Sequence, residues 1–184
     1  TDTSKFNQSG LARKSEWREK YGLSKTKKSL LFVTTGNHLK GYDFLLKLMA
    51  ELQDHPIELV IAGIKPVHSE LKNVKYLGYA EQVNELMWAA DALVHPAIYE
   101  AYAQVVSEAL FCGLPVIVSD RIGAKSVVTA TEGIVVNGFE QEDWKAAIHN
   151  VLTKDWSISP GFVKENELTV EQHCEGILAL GKQF

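Results

Sequence analysis

DALVHPAIYEAYAQVVSEALFCGLPVIVSD, residues 91–120, holds two short apolar runs around a helical stretch. The runs are DALVHP (91–96) and LPVIVS (114–119), and between them AYAQVVSEALFCG (101–113) repeats its apolar residues at helical spacing up to Gly113. Neither run alternates apolar with polar residues, so each reads as a strand covered on both faces. Two such strands joined by a helix make a parallel crossover unit.

The same alternation extends in both directions. Upstream, SLLFVTT (29–35), IELVIAG (57–63) and VKYLG (74–78) read as strands, with YDFLLKLMAELQ (42–53) and EQVNELMWAA (81–90) as helices. Downstream, GIVVN (133–137) is a last strand, followed by helices QEDWKAAIHNVL (141–152) and ENELTVEQHCEGILAL (165–180). The expected fold is α/β, an open, doubly wound parallel sheet of about six strands. Residues 1–28 are polar and read as a short helix around Trp17 and Tyr21, ended by Gly22, with a basic linker from Lys25 to Lys28; the sheet domain is expected over 29–184.

The composition narrows the function. In 184 residues, 19 Lys and Arg face 23 Asp and Glu, for a net charge of −4, which argues against a uniformly basic nucleic-acid binder. Hydrophobic residues make up 46% and charged residues 23%, an ordinary globular mixture. Gln104, Ser107 and Glu108 interrupt the longest apolar stretch, Ala101 to Val118, so no membrane span is read. Cys112 and Cys174 stand in unlike settings and suggest a reducing, cytoplasmic compartment. A chain that opens at Thr1 without a signal-like segment is expected to be a piece of a longer protein or to have a processed N-terminus.

Ligands of such sheets lie beyond the carboxyl ends of the strands, where the strand order reverses. One loop there is TTGNHLKGYD (34–43), in which Gly36 and Gly41 have the spacing of a phosphate loop. Tyr42 and Asp43 replace the Lys-Ser/Thr pair that a Walker loop needs. Lys40 precedes a helix start, where a cation and backbone N–H groups together hold an anion; the alternative is a solvated lysine before a glycine turn. In the loop after ALVHP, Glu100 and Glu108 stand eight positions apart, about 12 Å along a helix, too far to share a proton. That separation suits the two ends of an extended ligand. Carboxylates accept hydrogen bonds from sugar and ribose hydroxyls, and the N–H groups of Ala101, Tyr102, Ala103 and Gln104 offer an anion site between them. A nucleotide sugar runs in the same order: hexose, diphosphate, ribose. The alternative makes both acids ordinary helix carboxylates, Glu100 favoured by the helix dipole.

HPAIYEAYAQVVSEALFCGLPVIVSD (95–120) resembles a signature of the GT-B retaining glycosyltransferases of family four, through its Glu, seven residues, Glu pattern, the Cys-Gly-x-Pro-Val turn at 112–116 and the Ser119-Asp120 end. The resemblance runs from about Leu30 to Leu180. It implies a Rossmann-like C-terminal half of a two-domain enzyme, whose partner is the N-terminal acceptor-binding half, absent from this chain, with association with the inner face of a membrane through that half. It further implies catalytic roles for Glu100, toward the hexose, and Lys40, toward the leaving diphosphate. Tyr102 to Gln104 would meet the diphosphate, Glu108 the ribose, and the backbone at Tyr79 and Ala80 the base. The donor is a nucleotide diphosphate sugar, and neither cofactor nor metal is expected.

The sequence departs from that pattern at three places. Thr34 stands where many relatives have Gly, Leu39 where an Arg accompanies the Lys, and Ala103 where Gly is common; Asn37 or His38 is the expected replacement donor. These departures support the alternative of a noncatalytic module with a degenerate donor site. A sugar-nucleotide epimerase of the same form is a further rival. The six histidines have no paired zinc spacing, and there is no Asp-x-Asp pair. His95 reads first as core packing and second as a sugar contact, Cys112 as a buried thiol, and Trp17, Trp88, Trp144 and Trp156 as helix packing.

Overall fold

A computed structural model describes residues 2–36, 38–65, 70–166, 168 and 178. The apolar runs form strands: β1 (Lys28–Val33), β2 (Ile57–Ala62), β3 (Val74–Gly78), β4 (Ala92–His95), β5 (Val116–Ser119) and β6 (Gly133–Val136). The helices are α1 (Lys14–Lys20), α2 (Tyr42–Glu51), α3 (Val83–Ala89), α4 (Gln104–Phe111), α5 (Gln141–Thr153) and α6 (Phe162–Glu165). All strand pairs are parallel, in the order β3-β2-β1-β4-β5-β6. The expected doubly wound sheet of six strands is therefore present, and its order reverses between β1 and β4. Most of the helix expected at 165–180 lies outside the described residues, as do Asn37, His68, His173 and Cys174.

Successive strand residues point to opposite faces, which sorts the core into two layers. Leu30 and Phe32 of β1 join Leu59, Ile61, Val94 and Ile117 under α2 and α5, where Leu45, Leu48 and the fully buried Trp144 close the layer. Leu31 joins Val60, Leu93, Val116 and Val118 under α3 and α4, against Leu86, Met87, Val106 and Leu110. Burial on both faces is what removes the apolar–polar alternation from these strands.

The N-terminal segment packs onto the second layer. Phe6 and Leu23 are buried in it, and Trp17 meets Trp88 with ring centroids 5.7 Å apart. Asp91, at the amino end of β4, accepts from Lys14 Nζ at 2.9 Å, from Arg18 Nη1 at 3.0 Å and from the Ser29 backbone N–H at 2.8 Å. Arg18 also donates to the carbonyls of Ala89, Ser24 and Lys27, so one guanidinium joins α1, the run into β1 and the end of α3. Cys112 is fully buried, and burial pushes its thiol up to about 12, as expected of an inert core cysteine.

Candidate active site

The carboxyl ends of β1 and β4 are neighbours, so the loops that follow them meet. The Ile98 backbone N–H donates to the Leu39 carbonyl at 2.7 Å, which clasps the loop after β4 onto the short 3₁₀ turn His38–Lys40. Gly41 caps α2 at φ +78°, and a Cβ there would lie 1.9 Å from the Pro96 carbonyl oxygen, so only glycine admits this approach. Leu39 acts here through its backbone carbonyl, a role any side chain allows.

Glu100 is pinned by its main chain to the loop after β5. Its N–H donates to the Arg121 carbonyl, its carbonyl accepts from the Gly123 N–H, and it forms a parallel bridge with Ile122. Buried Ser119 braces the same loop by donating from Oγ to the Ala97 carbonyl at 2.6 Å. The Glu100 side chain is held at both oxygens. Oε1 accepts from Lys40 Nζ at 2.9 Å, and Oε2 lies 2.6 Å from Nε2 of His95, the last residue of β4. The hydrogen bond from His95, helped by that from Lys40 and opposed by partial burial, holds the Glu100 carboxyl well below the usual range, at about 2.

Helix α4 begins at Gln104, three residues later than the sequence suggests. The Ala124 N–H takes the Tyr102 carbonyl at 2.7 Å, and Ala103 turns the chain at φ 71° and ψ 66° before the helix starts. Ala101 and Tyr102 are exposed and Ala103 is 2% exposed; none of the three lines the cleft, and the Tyr102 hydroxyl instead pairs with Ser107 Oγ at 3.0 Å. The amides at the helix start are those of Gln104 and Val105, which make no hydrogen bond to the described residues.

Lys40, Glu100, Gln104 and Glu108 line one cleft of about 360 Å³ with Tyr79 and Ala80. Tyr79 is 84% exposed at its rim. Glu108, on the second turn of α4, has no cation within ion-pairing distance among the described residues, and burial raises its carboxyl. The two acids thus differ: Glu100 is ionised and held at both oxygens, whereas Glu108 makes no ion pair to the described residues. Thr34, Thr35 and Gly63 share this cleft, in loops that the sequence already places at the ligand edge of the sheet, whereas the pairing of Lys40 with Glu100 is not legible there. Thr34, where the sequence departs from the family pattern, is buried, and its Oγ1 accepts from the Gly36 N–H at 3.1 Å. His95 is buried as expected, but it also bonds Glu100, five residues on.

Residues 13–160 match the family described as glycosyl transferases group 1. The chain is 31% identical over 152 residues to the lipopolysaccharide glucosyltransferase WaaG of Escherichia coli, a match that covers 75% of this chain and 41% of WaaG. A crystal structure of WaaG superposes with a TM-score of 0.68 at 30% identity, over 77% of this chain and 42% of that one. The structure of Anabaena Alr3699/HepE in complex with UDP and glucose shares the fold, with a TM-score of 0.71 at 19% identity over 84% of this chain and 46% of that one. The chain spans less than half the length of the curated relatives it matches. Its sequence and its fold place the chain in the glycosyl transferases group 1 family.

Proposed function

We propose that the cleft binds a nucleoside diphosphate sugar, and that the chain is the donor half of a retaining glycosyltransferase that passes a hexose to an acceptor hydroxyl of a glycan or lipid. The supporting observation is that Glu100 and Glu108 line a single cleft with Lys40 and the start of α4. In this reading the ribose hydroxyls meet Glu108, the diphosphate meets Lys40 and the amides of Gln104 and Val105, and the hexose meets Glu100. The base lies toward Tyr79 and Ala80.

Breaking the anomeric C–O bond places negative charge on the diphosphate and positive charge on the sugar ring. Lys40 and the α4 amides oppose the first charge and ionised Glu100 the second, without a metal being invoked. Attack by the acceptor hydroxyl on the face the diphosphate leaves forms the new C–O bond with retained configuration, and the hydroxyl proton passes to the departing diphosphate oxygen. Acceptor choice, and any association with a membrane face, belongs in this reading to a second half of the protein. Nucleotide binding alone is expected of the present chain.

Calorimetry on single variants tests the assignment, with UDP, GDP and ADP each compared with its glucose or mannose derivative. Glu108→Ala is expected to weaken the free nucleotide about tenfold, as loss of a charged hydrogen-bond acceptor does, and Glu100→Ala mainly the sugar-bearing form. The reverse ranking overturns the orientation. No binding by the parent chain at millimolar ligand favours the noncatalytic alternative.

A further inference from the structure

Lys40 is asked to do two things. In the free cleft its ammonium bonds Glu100 Oε1 at 2.9 Å, and in the proposed function it faces the donor diphosphate. A diphosphate carries more charge than one carboxylate and draws the ammonium toward itself. Glu100 then loses one of its two side-chain holders as the donor arrives, at the moment its direction matters most.

The second holder has no competing task. His95 is fully buried at the end of a strand whose four residues are all buried, and its Nε2 stands 2.6 Å from Glu100 Oε2. An ionised carboxylate is an acceptor only, so Nε2 carries the proton. The ring's Nδ1 is buried and has no hydrogen-bond partner among the described residues. An imidazole kept for volume alone gains nothing over phenylalanine here, while an unpartnered buried nitrogen costs about 1–3 kcal/mol. The contact that sets the ring apart from an apolar side chain is the one to Glu100. Because Arg121 and Gly123 anchor the Glu100 main chain separately, that contact governs the direction of the carboxylate rather than the course of the loop.

We propose that His95 is a positioning residue of the donor site, whose Nε2–H keeps the Glu100 carboxylate aimed into the cleft once the donor diphosphate has drawn Lys40 away. This deepens the donor-binding reading and rests on it. The low Glu100 carboxyl, for which the His95 bond is the largest cause, accords with the same contact.

Two variants test it in the present chain. His95→Phe keeps the volume and removes the N–H; His95→Gln restores an N–H at nearly the same reach. Two readouts are used: calorimetric affinity for UDP and UDP-glucose, or for whichever base pair binds the parent, and the side-chain ¹³C titration of Glu100, the carboxylate that faces Lys40 and His95. His95→Phe is expected to weaken the nucleotide sugar about tenfold and the free nucleotide less than about twofold, with His95→Gln recovering to within about threefold of the parent. The Glu100 midpoint rises in His95→Phe and returns toward the parent value in His95→Gln. Equal losses for nucleotide and nucleotide sugar, or an unchanged Glu100 midpoint, overturn the proposal. If the parent binds no nucleotide sugar, the donor reading falls by itself, and the Glu100 midpoint alone decides whether His95 holds the carboxylate. Should His95→Phe fail to fold, His95→Asn, too short to reach Oε2, takes its place with the same two outcomes.

Discussion

Ala103 occupies the left-handed region at φ 71°, where glycine is at ease and alanine is strained by about 1–2 kcal/mol. Against that strain, its methyl is buried in the core, worth about 0.8 kcal/mol, and alanine limits the unfolded chain by about 0.4–1 kcal/mol relative to glycine. The terms nearly cancel, so Ala103→Gly is expected to change unfolding free energy by less than about 1 kcal/mol. Ala103→Val, β-branched at the same φ, is expected to cost about 2 kcal/mol or more; urea denaturation measures both. Alanine is therefore tolerated at this left-handed position. Glu108 behaves differently from Glu100 toward acid. Burial raises the Glu108 carboxyl above 4.5, so its ionisation opposes folding, and the stability it confers is full below 4.5 and falls as pH rises through its own higher value. Glu108→Gln removes that loss: its melting temperature at pH 7 should equal or exceed the parent's, while the two agree more closely at pH 4. The Glu100 carboxyl lies low, so its contribution is present above 4.5 and is lost only as pH falls toward about 2.

At the scale of elements, the site depends on how two loops cross. Gly41 lets the start of α2 touch the Pro96 carbonyl, and Gly63 lets the end of β2 lie against the Thr34 carbonyl, where a Cβ would come within 2.3 Å. Gly41→Ala is expected to cost about 2–4 kcal/mol, by backbone clash and loss of a left-handed residue, and to shift Lys40 away from Glu100. Its signature is a lowered melting temperature together with weakened nucleotide binding. A tolerated Gly41→Ala would mean that the clasp between these loops is looser than the geometry shows. The strands were legible to within about two residues because burial on both faces leaves uninterrupted apolar runs. The start of α4 was not, because the carbonyls of Glu100 and Tyr102 accept from the N–H groups of Gly123 and Ala124, some twenty positions away, which no local pattern reports. The pairing of Lys40 with Glu100 escaped for the same reason: it follows from β1 lying beside β4. The partner of His95 was only five positions distant, and a histidine ending a buried strand just before an acid is the signal that would have found it.

At the scale of the molecule, the N-terminal segment is part of the core. Removing residues 1–27 exposes the surface under Phe6 and Leu23, each worth about 1.5–3 kcal/mol, and leaves Asp91 without Lys14 and Arg18. The truncated chain is expected to lose about 4 kcal/mol or more, and a cooperative melt at the parent temperature would contradict that. No helix among the described residues is long and apolar enough to cross a membrane, and Lys14, Arg18, Lys25, Lys27 and Lys28 gather around Asp91 at the amino end of β4, away from the cleft. The proposed donor binding is confined to the carboxyl edge of the sheet, and residue-resolved ¹H–¹⁵N shifts under titration with UDP, GDP or ADP test it most directly. For at least one of these nucleotides the largest shifts should cluster at Lys40, Tyr79–Ala80, Gln104–Val105 and Glu108. Shifts confined to other surfaces, or none at millimolar nucleotide, would contradict it.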